Sequence, residues 1–471
     1  MTVGARVLAV AVSVALAAAC SSGGGKPAAP AGSGGSGGGS GPGAGSGAPP
    51  PLPPSERVLA LRPTRVTVPP PLLSPPFDRP RELSVPDGWT VAVYARIPGA
   101  RFLAATPDGR LLVSQPAQGT VALVVPGPGG AGRVSAFATG LTRPHDMVFA
   151  TLAGRTWLYV AESNRVVRYP YQAGDARARP GQPVITGLPD DSTPELRGRY
   201  AHALKNLALA PDGTIYLSIG SSCNACVEDT RSNPRRGAVY AYGPDGSNRR
   251  LVAYGLRNAE GLAFVPGTSE LWAVVNNRDN ISYPYHSDSD GKAPADDFGR
   301  ILPSYVDDHP PDEFVHVTPG GFFGWPYCNP NPDRTIGMQN MPYDRDAVLN
   351  GDNKVDCYKA RRVHQGIQAH SAPLGLTFLQ QTPAPELVRN GAAVALHGSW
   401  NRRQPTGYKV VWFPWHTPRA RPGRQQDLVT GWLDEAHGNY WGRPVDIAVD
   451  RDGSLLVSDD FSGTVYRLAG K

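Results

Sequence analysis

What this 471-residue chain has least of is uninterrupted sequence: 55 glycines and 49 prolines are scattered through it. Both residues break helices, so helical bundles and coiled coils are excluded. Beyond residue 19 no apolar run is long enough to cross a bilayer as a helix. There is no Lys/Arg-rich run either. The 46 basic and 40 acidic residues, formally +6, are interspersed, and no nucleic-acid-binding motif is present, so a nucleic-acid partner is not expected. Cysteine is scarce, with five in all.

The one early apolar run, "VLAVAVSVALAAA" at residues 7–19, follows Arg6 and ends in small residues before Cys20. It is too short to span and reads as a secretory signal peptide, residues 1–19. "LAAAC" resembles a bacterial lipobox, in which the cysteine after the cut receives a lipid. The Gly/Ser/Pro-rich stretch that follows has too little apolar surface to offset its chain entropy. Residues 20–83 are therefore expected to be a lipidated Cys20 with a flexible tether, and 84–471 the folded domain. An exported cell-envelope lipoprotein on the outer face of the membrane is the implied location, with a secreted protein as the alternative.

In an exported chain the four remaining cysteines suggest two disulfides, and Cys223–Cys226 with Cys328–Cys357 is the simplest partition. A zinc site is disfavoured because the second pair is not a CxxC. A thioredoxin-like role is disfavoured because no helix pattern follows Cys226.

What the chain does have is a repeat. "FLAATPDGRLLVSQPAQGTVALV", "HDMVFATLAGRTWLYVAESNRVVRY", "HALKNLALAPDGTIYLSIG" with "GAVYAYGPDG", "NAEGLAFVPGTSELWAVVNN", "APLGLTFL" with "AAVALHGSWNRRQPTGYKVVWF", and "PVDIAVDRDGSLLVSDDFSGTVYRL" each read as strand, tight turn, strand, strand. Most of the turns carry Gly or Asp-Gly, which supply the positive backbone angles a hairpin needs. Six small sheets that cannot cover their own faces predict an all-β, six-bladed propeller. "SVPDGWTVAVYARI" precedes the first unit and is expected to close the ring as an outer strand of the last. The alternative is a pair of β-sandwiches. Residues 280–319 and 327–368 are unusually long connections, expected near the pocket mouth.

In a propeller the innermost strand of every blade lines the central channel, so the residues that head these strands meet at one mouth. Here they include Arg143 and His145, His202, Arg257 with Asn258, His370, and Arg443. Cations, imidazoles and an amide gathered in this way suit a planar, anionic ligand, because Arg pairs carboxylates through two parallel hydrogen bonds.

"GLRNAEGLAF", "GGFFGWP", "HSAPLGLTF", "ALHGSWNR", "GYKVV" and "WGRPVDIAVDRDGSLLVSDD" resemble the glucose/sorbosone dehydrogenase family, pyrroloquinoline-quinone (PQQ) sugar dehydrogenases, and most closely its L-sorbosone dehydrogenase branch. The resemblance implies His202 as catalytic base and Arg257 as the group that polarises the quinone. It also implies contacts to the cofactor from Arg257, Asn258 and Arg443, with His145 and His370 beside them. Asn401 and Arg402 stand in for a lysine contact of the family, and Trp441 occupies the place of a second arginine. Calcium is the implied cofactor metal, assigned to Asn277, Arg278 and Asp279 after the strand that follows "GLRN". The implied activity is hydride transfer from a sugar or sugar aldehyde to PQQ, with electrons passed to an external acceptor such as a cytochrome or a membrane quinone. Two other classes stay open: a metal-dependent lactonase-type propeller hydrolase, and a non-catalytic ligand-binding propeller.

Overall fold

The computed structural model describes residues 58–289, 291–292, 296–416 and 421–470. Six sheets of four or five strands, antiparallel except for one outer strand of blade three, surround a channel. Their first strands, Leu103–Ala105, Met147–Leu152, Leu207–Leu209, Asn258–Phe264, Pro373–Phe378 and Pro444–Val449, touch in that order, and the last touches the first. This is the six-bladed propeller, and every repeat read from the sequence falls on one blade.

Local chemistry explains the hairpins. Gly109, Gly213 and Gly453 sit in the Asp-Gly turns between first and second strands with φ of 80°, 84° and 90°, a region where a side chain would be strained. Strand Thr90–Arg96 pairs antiparallel with Thr464–Ala469, so the outer edge of blade six is supplied from before blade one. The ring closes by hydrogen bonding, and no long edge strand is left open there.

Between blades the packing is apolar. Trp272 and Phe314 of blade four stack edge-on against Trp415 and Phe413 of blade five. At the channel, buried carboxylates latch one blade to the next. Asp146 accepts from the Met147 nitrogen at 2.7 Å and from the Leu207 nitrogen of blade three at 2.8 Å. Asp446 of blade six accepts from the Leu103 nitrogen of blade one at 2.9 Å. Asp312 accepts from the Ala372 nitrogen, just before blade five, at 2.9 Å. Burial pushes Asp446 well above the ordinary carboxylate range, and an amide oxygen in its place can still accept from the Leu103 nitrogen. Asp446→Asn should therefore fold with nearly unchanged stability, whereas Asp446→Ala should lose about 1–3 kcal/mol because the Leu103 N–H is left buried without an acceptor. Chemical denaturation of the two variants checks this.

One boundary differs from the sequence reading. Residues 58–83, expected as tether, are folded: strand Leu61–Arg65 pairs with Glu82–Pro86, and Leu59, Val66 and Phe77 enter the core of blades five and six. Proline-rich composition concealed this, since the few apolar residues gain their partners only from distant blades. The signal peptide, Cys20 and the rest of the tether lie outside the described residues. Among the described residues no helix is long and apolar enough to cross a membrane.

The long connections are both insertions in blade four. One separates Leu271–Asn276 from Asp312–His316, and the other separates that strand from Val363–Ile367. The first approaches the channel mouth, where the Val306 oxygen accepts from His370. The second runs in part along the outside of blade three, where Gly321–Phe322 pairs in parallel with Arg250–Tyr254. Disulfides join Cys223 to Cys226 and Cys328 to Cys357, as the spacing suggested.

Candidate functional site

The heads of blades three and four meet through the segment Gly220–Asn224. The Ser221 nitrogen donates to the Arg257 oxygen at 2.8 Å, and the Ser221 oxygen lies 2.9 Å from His202 Nδ1. Ser221 Oγ is also 2.9 Å from Nδ1, but its own proton goes to the Cys223 oxygen at 2.8 Å. Both groups facing Nδ1 are thus acceptors, which fixes the proton on Nδ1 and leaves Nε2 as the lone-pair nitrogen. Nε2 has no protein partner among the described residues. Burial, and after it the Arg257 charge, pushes the His202 pKa down to about 3, so the ring is neutral at ordinary pH.

The backbone at Gly220 permits this approach. A Cβ there would lie 2.6 Å from Asn258 Oδ1 and 2.7 Å from His202 Cβ. Gly220→Ala should retain the fold by circular dichroism, yet lower any activity that uses both side chains by about 10²-fold through misplacement. Unchanged turnover would show that the contact is not needed.

Arg257 is buried and its bonds to the protein are long. Nε donates to the Asn224 oxygen at 3.2 Å, and Nη2 to Asn224 Oδ1 and Asp279 Oδ2, both at 3.2 Å. Burial pushes its pKa down to about 10. Asp279 reaches on to His370 Nδ1 at 3.6 Å, while His370 Nε2 donates to the Val306 oxygen at 2.7 Å. Burial works to lower His370, but the Asp279 and Val306 bonds and nearby carboxylates raise its pKa overall.

Farther round the ring, Arg443 donates to the His397 oxygen at 3.0 Å and the Gly398 oxygen at 3.2 Å. His397 Nε2 is 2.8 Å from Asp460, which also takes Arg101 at 2.7 Å. The heads of blades three, four, five, six and one are therefore linked side chain to side chain or through one loop.

Asn224 and Arg101 were missed from the sequence, although both signals were there. Asn224 lies inside the CxxC, where it braces Arg257 and Asp279. Arg101 heads the first strand of blade one two residues before Leu103, the one strand for which no head was named. Two further buried groups were also missed. Glu260 Oε2 is 3.1 Å from His145 Nε2, and its Oε1 accepts from Asn258 Nδ2 at 3.1 Å. Burial opposes charge on both partners. The bonds from His145 and Asn258 hold the carboxylate below its ordinary range, while burial pushes the His145 pKa down. Lys205 is fully buried, donates to the Ala203 oxygen, and is pushed down to about 7 by burial.

Several assignments change. His145 is fully buried against Glu260 and Phe102, so it supports Asn258 and does not face a ligand. The Asn277 side chain donates to Glu313 at 2.9 Å and to the Pro311 oxygen at 2.8 Å, and Arg278 pairs with Asp346. Both turn away, and Asp279 is shared by Arg257 and His370, so the three side chains do not form a calcium cage. Among the described residues no three His, Cys, Asp or Glu side chains converge to hold a metal. Arg402 is occupied with Asp307 and Asp308. In the same loop Asn401 Nδ2 is buried without a partner. Trp441, in place of a second arginine, is covered by the Arg81 guanidinium at 5.0 Å. The residues fit a planar polyanion: guanidiniums at the strand heads of blades four and six, and, on blade five, one amide donor without a partner among the described residues.

The TrAA12-like family matches residues 83–471. An uncharacterised protein of Borreliella burgdorferi is 26% identical over 287 residues, covering 60% of this chain and 63% of that one. A pyrroloquinoline quinone-dependent pyranose dehydrogenase of Coprinopsis cinerea is 25% identical over 284 residues, covering 53% of this chain and 37% of the dehydrogenase. The chain thus spans less than two thirds of either relative. Among solved structures, the holo PQQ domain of the Coprinopsis cinerea pyranose dehydrogenase superposes with a TM-score of 0.66 at 21% identity, covering 86% of this chain and 99% of that domain. The calcium structure of a Trichoderma reesei family AA12 enzyme gives 0.64 at 19%, covering 82% and 96%. These likenesses establish a common fold, and none of them singles out the sorbosone branch.

Proposed function

Because the chain belongs to the TrAA12-like family, we propose that it is a quinoprotein that oxidises a sugar or sugar aldehyde and passes the electrons to an external acceptor. Pyrroloquinoline quinone, when bound at the channel mouth, supplies the hydride acceptor. His202 takes the proton of the substrate hydroxyl, or of an aldehyde hydrate, at Nε2. Arg257 and Arg443 hold anionic oxygens of the cofactor, and Asn258 is kept in its rotamer by Glu260. Within the class, the "GLRNAEGLAF" and "HSAPLGLTF" motifs favour an aldose or sorbosone-type aldehyde. Calcium is part of the proposal only as an addition to be tested, and no step is assigned to it. The acceptor is proposed to be a cytochrome or membrane quinone, reached by a lipid-anchored protein on the outer face of the membrane.

The observation that carries this reading is the neutral, Nδ1-anchored His202 beside the Arg257 guanidinium. A base whose tautomer is fixed by acceptors, next to a buried cation, is what proton removal toward a developing anion requires. The lactonase alternative needs carboxylates and imidazoles around one ion, and among the described residues no such set converges. The test is dye reduction by the purified protein with PQQ, with and without calcium, over a panel of aldoses, beside lactone hydrolysis without quinone. Quinone-dependent reduction supports the proposal. Hydrolysis alone would replace it.

A further inference from the structure

Outside the channel, the second insertion of blade four faces the outer edge of blade three across a cleft of about 550 Å³, within the usual size of small-ligand sites. One wall is aromatic. Tyr254 and Phe322 are register partners on adjacent parallel strands, with ring centres 5.3 Å apart at 28°. The other wall is the loop 353–361, stapled at Cys357 to Cys328.

The charges are lopsided. Arg236 is neutralised by Asp229 and Glu195. Arg235 sits 4.3 Å over the Tyr254 ring and donates to the Thr230 oxygen, with no carboxylate partner among the described residues. Lys359 and Arg361 are exposed and form no ion pair among the described residues. Asp356 is the lone lining acid, and it caps its own loop by accepting from the Tyr358 nitrogen at 3.0 Å. Three cations without carboxylate partners beside an apolar ring surface call for a ligand with carboxylates at one end and a C–H face to lie on the rings. The wall that carries two of them is held in place by the disulfide, so little ordering cost is left for binding.

We propose that this cleft binds an acidic saccharide, a hexuronate-containing disaccharide unit, separately from the channel mouth. Arg361 and Lys359 pair with the carboxylates, and Phe322, backed on its other face by Tyr254, packs on a pyranose face. The anionic half of the inference rests on the cleft alone, and the saccharide half rests on the sugar-oxidising function proposed above. The cleft also shares a wall with the channel site. Trp325, which lines it, donates from Nε1 to the Asn224 oxygen at 3.0 Å, the same oxygen that takes Arg257.

The test is calorimetric titration of the whole folded protein with digalacturonate, with cellobiose and sulfate as controls, on wild type and the double variant K359E/R361E. One-site binding of digalacturonate, weakened at least tenfold in the variant and absent for cellobiose, is expected. Equal binding by the variant, equal binding of cellobiose, or sulfate competing as well as digalacturonate would each overturn the site. So would no binding at all. Because the readout is binding, loss of this site with dye reduction intact would leave the oxidation reading standing. Binding without any sugar turnover would do the reverse.

Discussion

His202→Ala is expected to lower kcat/KM for sugar-dependent dye reduction by about 10²–10⁴-fold, the usual contribution of a positioned general base, while quinone absorbance still saturates on titration. Proton removal depends on one ring nitrogen. Ser221 presents two acceptors to Nδ1, its carbonyl and a hydroxyl already donating to the Cys223 oxygen. The Nδ1–H tautomer follows, and Nε2 is left as a lone pair with no protein partner among the described residues. Ser221→Ala removes one acceptor and keeps the other, so it should cost much less than loss of the imidazole. If His202→Ala retained full dye reduction, the proton would have to leave by another group, and buried Lys205, pushed down to about 7, would be the next to replace.

The propeller was legible because its signal is local. A hairpin needs positive φ at the turn, Asp-Gly supplies it, and the flanking apolar strands repeat at a period that no core interaction has to explain. Strand heads were legible for the same reason: a polar residue before an apolar run marks the end of a strand even when its partners are unknown. Partners were the part that could not be read. Asp279 was assigned to calcium from its place after a strand, but the fold gives it to Arg257 and His370, which precede and follow it by 22 and 91 positions. His145 looked like a pocket residue because it heads a strand. Its ring instead turns inward to Glu260, on a blade two places further round, where neither sequence spacing nor motif connects them. The 58–83 segment failed in the opposite direction: its composition is that of a linker, and its apolar residues are too few to predict burial without the blades they cover.

The charges around His202 make opposite predictions for two neighbours, and together they test whether that ring is the titrating base. Burial lowers its pKa first and Arg257 lowers it next, while Glu260 raises it. The base works only when neutral, so activity should fall with acid through the His202 pKa, far below pH 6. Arg257→Gln removes a positive neighbour. Protonation then becomes easier and the acid limb of the kcat/KM profile moves up toward the ordinary imidazole value, on top of a loss of rate from weaker polarisation of the quinone. Glu260→Gln removes a negative neighbour and keeps one of the two acceptor oxygens, so its limb should move down or stay out of reach. The same sign governs folding. A histidine held below its unfolded pKa contributes full stability above about pH 6.5 and loses it as pH falls toward 3. His202→Asn should therefore flatten the acid side of the stability curve, and stopped-assay profiles beside urea melts from about pH 2.5 to 8 measure both. A limb that moved in the same direction for Arg257→Gln and Glu260→Gln would mean that the titrating group is not the imidazole between them.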